Sequence, residues 1–205
     1  MYHIIILKSI VCSLRVAEMV KTPNKALTLE EFLKLPETEP ASEYSGGQIV
    51  RKPMPQGEHS AIQTELSAAI NAALKPQRVA RAFCELRCTF GDRSIVPDIA
   101  VFTWNRIPRK DDGGVANVFA IAPDWVIEIL SPEQSQTKVT KNILHCLKHN
   151  AQMGWLIDPQ ERSVFVYQSD QPTDVFDKPE INLPVPAFAQ DFSLSVKALF
   201  DWLLE

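Results

Sequence analysis

Ser-Ile-Val-Pro-Asp-Ile-Ala-Val-Phe (residues 94–102) and Trp-Val-Ile-Glu-Ile-Leu (residues 125–130) each set one carboxylate, Asp98 and Glu128, inside an apolar run rich in Val and Ile. Runs of this kind, without polar alternation, mark central strands covered on both faces. An ionised acid there is costly unless something compensates it. Side chains alternate along a strand, so Asp98 shares a face with Val96 and Ala100, and Glu128 with Val126 and Leu130. If the two strands are neighbours, the acids converge at one edge of the sheet. Converging carboxylates repel one another, and a divalent cation is their natural partner. Oxygen ligands with no His or Cys close by in sequence favour magnesium or manganese over zinc. The plainer alternative is that each acid pairs with a buried Arg or caps a main-chain amide. Two acids in successive strands put the metal reading ahead of it.

Working outward, the spacing predicts alternating helices and strands. Thr28 and Glu31 have capping-box spacing before a short helix, Leu29 to Leu35, which Pro36 stops. Tyr44 to Arg51 reads as a hairpin turn leading into a strand that Pro53 and Pro55 end. Ile62, Leu66, Ala69, Ile70 and Ala73 recur at helical spacing within Glu58 to Leu74. Strands are predicted at Ala82 to Phe90, Ile95 to Thr103 and Trp125 to Leu130, with a mobile loop at Asn105 to Val115. A helix over Ser135 to Asn150 turns Val139, Ile143, Cys146 and Leu147 inward. Gly154 to Asp158 and Ser163 to Gln168 form a hairpin, residues 171–190 are irregular, and an amphipathic helix, Ser195 to Leu204, ends the chain. The fold class is α/β or α+β, a mixed central sheet flanked by helices.

A chain of 205 residues suits one buried core. Residues 1–18 are expected to be a non-core N-terminal extension and residues 19–205 a single domain. The apolar run near Ile4 to Val11 is too short to span a bilayer, which needs about 20 residues, and no cleavage site follows it. The expectation is a cytoplasmic protein that does not engage a membrane. A net charge of −4 argues against a protein that coats nucleic acid non-specifically, but leaves room for local basic clusters. Seven glycines, with no GxGxxG and no GxxxxGK[ST], exclude the common phosphate loops. Cys84 and Cys88 have no second Cys/His pair nearby to complete a zinc site, so reduced thiols are the reading.

Positive charge gathers near the acids. Lys138, Lys141, His145 and Lys148 are spaced by 3, 4 and 3 residues, which places them on one helical face. Such a face is usually only solvated; beside a metal site it is also a cationic stripe for a phosphate backbone. Arg78, Arg81, Arg87 and Arg93 add charge just before the Asp98 strand.

The ordered set Pro97-Asp98, Glu128-Ile129-Leu130-Ser131-Pro132 and Trp155-Leu156-Ile157-Asp158-Pro159 resembles the Uma-two family of restriction-endonuclease-like proteins, within the PD-(D/E)xK nuclease superfamily. Ser42-Glu43-Tyr44 with Gly47, and Met54-Pro55-Gln56-Gly57-Glu58-His59-Ser60, fit the same pattern. The resemblance spans roughly residues 28–170 and is carried by the ordered series, since a bare Pro-Asp pair means nothing. It implies a restriction-endonuclease-like core and an endonuclease that hydrolyses DNA phosphodiester bonds. Asp98 and Glu128 would hold magnesium or manganese to activate water, and a lysine would complete the site electrostatically. Two residues after the second acid, where the superfamily carries that lysine, this chain has Leu130. The expected repair is a lysine on the following helix, Lys138 first and Lys141 second. His59 and Glu43 are secondary candidates: His59 as a contact to water, phosphate or a loop carbonyl, Glu43 as a third acid or an edge-strand ion pair. Cutting both strands of a duplex calls for a homodimer.

Two rival classes stand beside this one. A nuclease fold kept for DNA binding or regulation alone is favoured by Leu130 and opposed by retention of both acids. A carboxylate-pair glycosidase is disfavoured by few aromatics, 8%, and by a basic helix face it would not use. The geometric expectation is specific: Asp98 and Glu128 on adjacent strands, their side chains meeting at one cleft.

Overall fold

The computed structural model describes residues 26–132 and 134–204; the expected N-terminal extension lies outside them. Among the described residues, ten strands form two sheets. The four-stranded sheet has the order β2-β1-β5-β4 and the six-stranded sheet the order β10-β9-β8-β7-β6-β3. The short helix α1 (Leu29–Leu33) carries the predicted capping box, with Thr28 Oγ1 accepting from the Glu31 amide and Glu31 from the Thr28 amide. It docks on β1 (Ser42–Ser45) through the Phe32–Tyr44 ring stack and the Tyr44 hydroxyl, which donates to the Leu27 carbonyl. Strand β2 (Gln48–Arg51) pairs antiparallel with β1. Gly46 and Gly47, both at positive φ (58° and 80°), make the two-residue turn between them, a geometry that side chains other than Gly or Asn resist.

The two predicted strands around residues 82–103 are each broken in two. Strand β3 (Ala80–Cys84) stays in the six-stranded sheet, and β4 (Cys88–Phe90) belongs to the other. The break falls at Glu85, whose φ of 47° is left-handed. Likewise β5 (Arg93–Ile95) pairs with β4 and β1, whereas β6 (Ile99–Thr103) pairs with β3. The second break spans Val96, Pro97 and Asp98. A proline has no amide hydrogen to give a ladder, so a strand that meets one ends or changes partner. Between β3 and β6 the chain therefore crosses between sheets twice, and Asp98 stands at the second of these crossings.

Strand β7 (Trp125–Ile129) is the centre of the large sheet and is buried throughout. It runs antiparallel to β6 and parallel to β8 (Met153–Asp158). A parallel pair needs a crossover, supplied by α3 (Gln136–Lys148). Strands β9 (Ser163–Tyr167) and β10 (Asp174–Phe176) extend the sheet antiparallel. The residues expected to be irregular at 171–190 thus contain one edge strand. One face of the sheet is covered by α2 (Gly57–Leu74) and α4 (Val196–Asp201), with Ile62, Leu66, Ile70, Leu199 and Phe200 packed among Val101, Trp125 and Ile127. The other face takes Val139, Ile143 and Cys146 of α3 against Ala100, Val126 and Leu156. The mixed sheet flanked by helices is as expected. Among the described residues, no helix is long and apolar enough to cross a membrane.

The α3 packing is close enough to test. A Cβ at Gly154 would lie 2.2 Å from Ile143 Cγ2 and 3.3 Å from Val126 Cγ1. Gly154→Ala is expected to lower stability by about 1–3 kcal/mol through overpacking, read as a loss in the denaturation midpoint at an unchanged slope.

Candidate active site

Extending the β6–β7 register by one pair from Ile99↔Ile127 sets Asp98 opposite Glu128. Both side chains lie on the sheet face shared with Ala100 and Val126, as alternation requires. Their closeness is direct. The Asp98 amide points to Glu128 Oε2 at 3.4 Å, and the Ile129 amide donates to Asp98 Oδ2 at 2.7 Å. Asp98 has no exposed surface and Glu128 only 2%. A cavity of about 290 Å³ opens on Asp98, walled by Lys52, His59, Glu85, Ser131 and Gln134 among others, and Glu128 is not part of its lining.

The lysine that the structure sets against Asp98 is Lys52, not a residue of α3. Its Nζ lies 2.6 Å from Asp98 Oδ1 and donates to the Val96 carbonyl at 2.8 Å, and the side chain is only 10% exposed. Lys138 and Lys141 are exposed on α3 and, among the described residues, make no ion pair with either acid. The structure thus sets Lys52, and neither of the two lysines expected from α3, against the acids. The physical reason is topological: β2 pairs with β1 in the small sheet, and the residue following β2 reaches the gap where the chain crosses to the large one. A signal was present, because alternation puts Lys52 on the half-buried face of Val50 with Pro53 closing the strand.

His59, in the first turn of α2, is brought to the site. Its Nε2 is 3.1 Å from Asp98 Oδ2 and the ring is buried, with Nδ1 lacking a partner among the described residues. Glu43 is also there. Its Oε1 accepts from the Val96 amide at 2.8 Å and its Oε2 from Asn142 Nδ2 at 3.0 Å, so it ties β1 and α3 to the crossing. His145 is not at the site. It is buried, stacked on Phe90 with centroids 4.8 Å apart, and its Nε2 is 3.1 Å from the Phe90 carbonyl. The small sheet closes over the last turn of α3 there, a second packing partner that single-face periodicity cannot reveal. Burial holds its pKa below the usual range. Of the four arginines, Arg87 pairs with Glu37, Arg93 donates to the Lys141 carbonyl, Arg81 lies over Phe83 and Arg78 over Trp104.

The electrostatics separate the two acids. Burial pushes the Asp98 carboxyl up, but Lys52 and His59 outweigh it and hold the pKa down to about 2. Burial pushes Glu128 well above the usual range, and Asp98 adds to the rise. Glu43 is raised too, chiefly by burial. Burial would lower the Lys52 pKa, yet Asp98, Glu128 and Glu43 together raise it. Asp124 shows what a purely structural buried acid looks like. Both of its oxygens are taken, by the Thr103 amide and hydroxyl and by Arg106. Glu128 differs, since its Oε1 is buried without a partner among the described residues.

Among those residues no three His, Cys, Asp or Glu side chains group closely enough to hold an ion unaided. Magnesium does not ask for that: it keeps several waters and binds through one or two carboxylates plus substrate phosphate. Two facing carboxylates, one with an unused oxygen, fit it. Cys84 is exposed while Cys88 and Cys146 are buried, all as free thiols.

Comparison with known proteins agrees with this picture. Residues 29–197 match the Uma2 family, described as "Putative restriction endonuclease". A crystal structure described as a "putative nuclease belonging to DUF820" from Anabaena variabilis ATCC 29413 superposes with a TM-score of 0.85 at 69% identity, covering 86% of this chain and 98% of that one. No curated protein matches.

The asymmetry between the acids predicts opposite responses in metal-free protein. Asp98→Asn strands the buried Lys52 ammonium and is expected to destabilise by about 3–5 kcal/mol. Glu128→Gln replaces a carboxyl whose charge is disfavoured, and is expected to leave stability unchanged or raised. Chemical denaturation of both variants in a chelator checks this.

Proposed function

The chain belongs to the Uma2 family, and from that membership we propose that it is an endonuclease hydrolysing DNA phosphodiester bonds with a magnesium or manganese ion held by Asp98 and Glu128. The observation that carries this is the buried Lys52–Asp98 pair, at an open cavity, set against Glu128 with its buried, unpartnered Oε1.

When bound, a divalent cation supplies a lowered pKa for the attacking water and neutralises charge on the phosphate. The remaining work falls to the chain. Lys52 offers a fixed ammonium beside Asp98, positioned to stabilise negative charge gathering on the phosphoryl oxygens in the transition state. The Val96 carbonyl and Asp98 hold that ammonium in place, so it needs no reorganisation during the reaction. His59 and the Ile129 amide both bond Asp98 Oδ2, fixing the carboxylate plane. Glu43 steadies the crossing by accepting the Val96 amide. The rival reading, a nuclease fold kept only for DNA binding or regulation, drew on Leu130, and a lysine in place at Asp98 removes its main support. A cut through both strands needs two such sites related by a two-fold axis.

Nicking of supercoiled plasmid is expected with magnesium or manganese and not in a chelator. Lys52→Met is expected to lose roughly 10²–10³-fold in rate at saturating DNA, the scale for removing one preorganised charge donor. Cleavage at the parent rate in Lys52→Met, or cleavage that persists in the chelator, would overturn the assignment. Magnesium is also expected to raise the melting temperature of the parent and to do so much less in Glu128→Gln, because a ligand stabilises only the state that binds it.

A further inference from the structure

We propose that the groove between the β1–β2 hairpin and helix α3 is the path of the DNA backbone into the site, with Lys138, Lys141 and Arg93 as its phosphate contacts. The inference rests on the reading of the site as a nuclease and adds where its substrate lies. Two clefts, of about 220 and 190 Å³, run side by side along this groove. The first shares Lys52, Pro53 and Gln134 with the cavity at Asp98. The second shares Glu43, Val50, Lys138 and Asn142 with the first and ends between Lys141 and Arg93. The three openings thus form one track from the α3 surface to the Lys52 ammonium.

The charge on the groove is one-sided. Along the two clefts beside α3, Arg51, Lys52, Lys138, Lys141 and Arg93 are set against Glu43, and the further acids Glu39, Glu85 and Asp98 line the cavity at its end. Glu43 is already engaged by the Val96 amide and Asn142, and it forms no ion pair with Lys138, Lys141 or Arg93 among the described residues. Those three cations have no carboxylate partner there either, although the chain carries more acids than bases. Unpaired cations lining a groove that ends at a phosphodiester-cleaving centre are matched by a polyanion's evenly spaced phosphates. The stripe on α3 divides accordingly. Lys138 and Lys141 face the groove, His145 is buried against Phe90 of the small sheet, and exposed Lys148 stands outside both clefts.

The test is the salt dependence of binding, measured without metal by fluorescence anisotropy on a labelled DNA duplex and on one of its single strands. Each phosphate neutralised contributes about 0.9 to the slope of log K against log salt for a duplex and about 0.7 for a single strand. Lys138→Gln with Lys141→Gln is expected to lower that slope by about two on the duplex and to weaken binding, with the melting temperature unchanged. Lys148→Gln, on the same helix, is expected to keep the parent slope. A double variant with the full parent slope, or an equal loss in Lys148→Gln, would overturn the groove. The outcome is separable from catalysis. A parent that binds this way but never cleaves in magnesium sinks the catalytic reading and keeps the groove; cleavage with an unaltered slope in the double variant does the reverse.

Discussion

The Lys52 ammonium, held between the Val96 carbonyl and the Asp98 carboxylate, is the contact on which the rest of the structure turns. It lies where the chain leaves the small sheet for the large one, a place where Val96, Pro97 and Asp98 cannot all be satisfied by strand pairing. The main-chain groups freed by the crossing find side chains instead: Glu43 takes the Val96 amide and Lys52 the Val96 carbonyl. Buried main-chain groups are nearly always paired. Here the pairing is done by ionisable residues, and the crossing and the charged site are one feature.

That coupling explains how a carboxylate pair survives in a core. Asp98 alone at the centre of the sheet would protonate or unfold its surroundings. With Lys52, His59 and the Ile129 amide around it, it stays ionised, and the whole charge imbalance falls on Glu128. One acid is satisfied and its neighbour is not. A structural ion pair has no use for the second acid, as Asp124 with Arg106 illustrates. A cation-binding centre would use it, since a bound ion would offset the burial and the Asp98 charge that disfavour its ionised form.

Much of this was legible in the residues. The acids interrupting two apolar runs do face each other across neighbouring strands, and the central position of β7 followed from its unbroken Val and Ile. The capping box at Thr28 and the 3.6-residue period of α2 and α3 set those helices to within a residue or two. What escaped was long-range. The breaks at Glu85 and Pro97 depend on a second sheet that local propensity does not announce, so each split strand read as one. Lys52 escaped for the same reason, since its partner Asp98 is 46 residues away. His145 escaped because α3 packs against two sheets, not one.

The central claim is that Asp98 and Glu128 hold a divalent cation with Lys52 beside them. It is met most directly by crystals grown with manganese and a short DNA duplex, with diffraction recorded at the manganese absorption edge. The account predicts an anomalous peak in contact with oxygens of both carboxylates, with the Lys52 ammonium next to the bound phosphate. A map with no peak there, the Lys52–Asp98 pair unchanged and manganese bound elsewhere on the chain would contradict it.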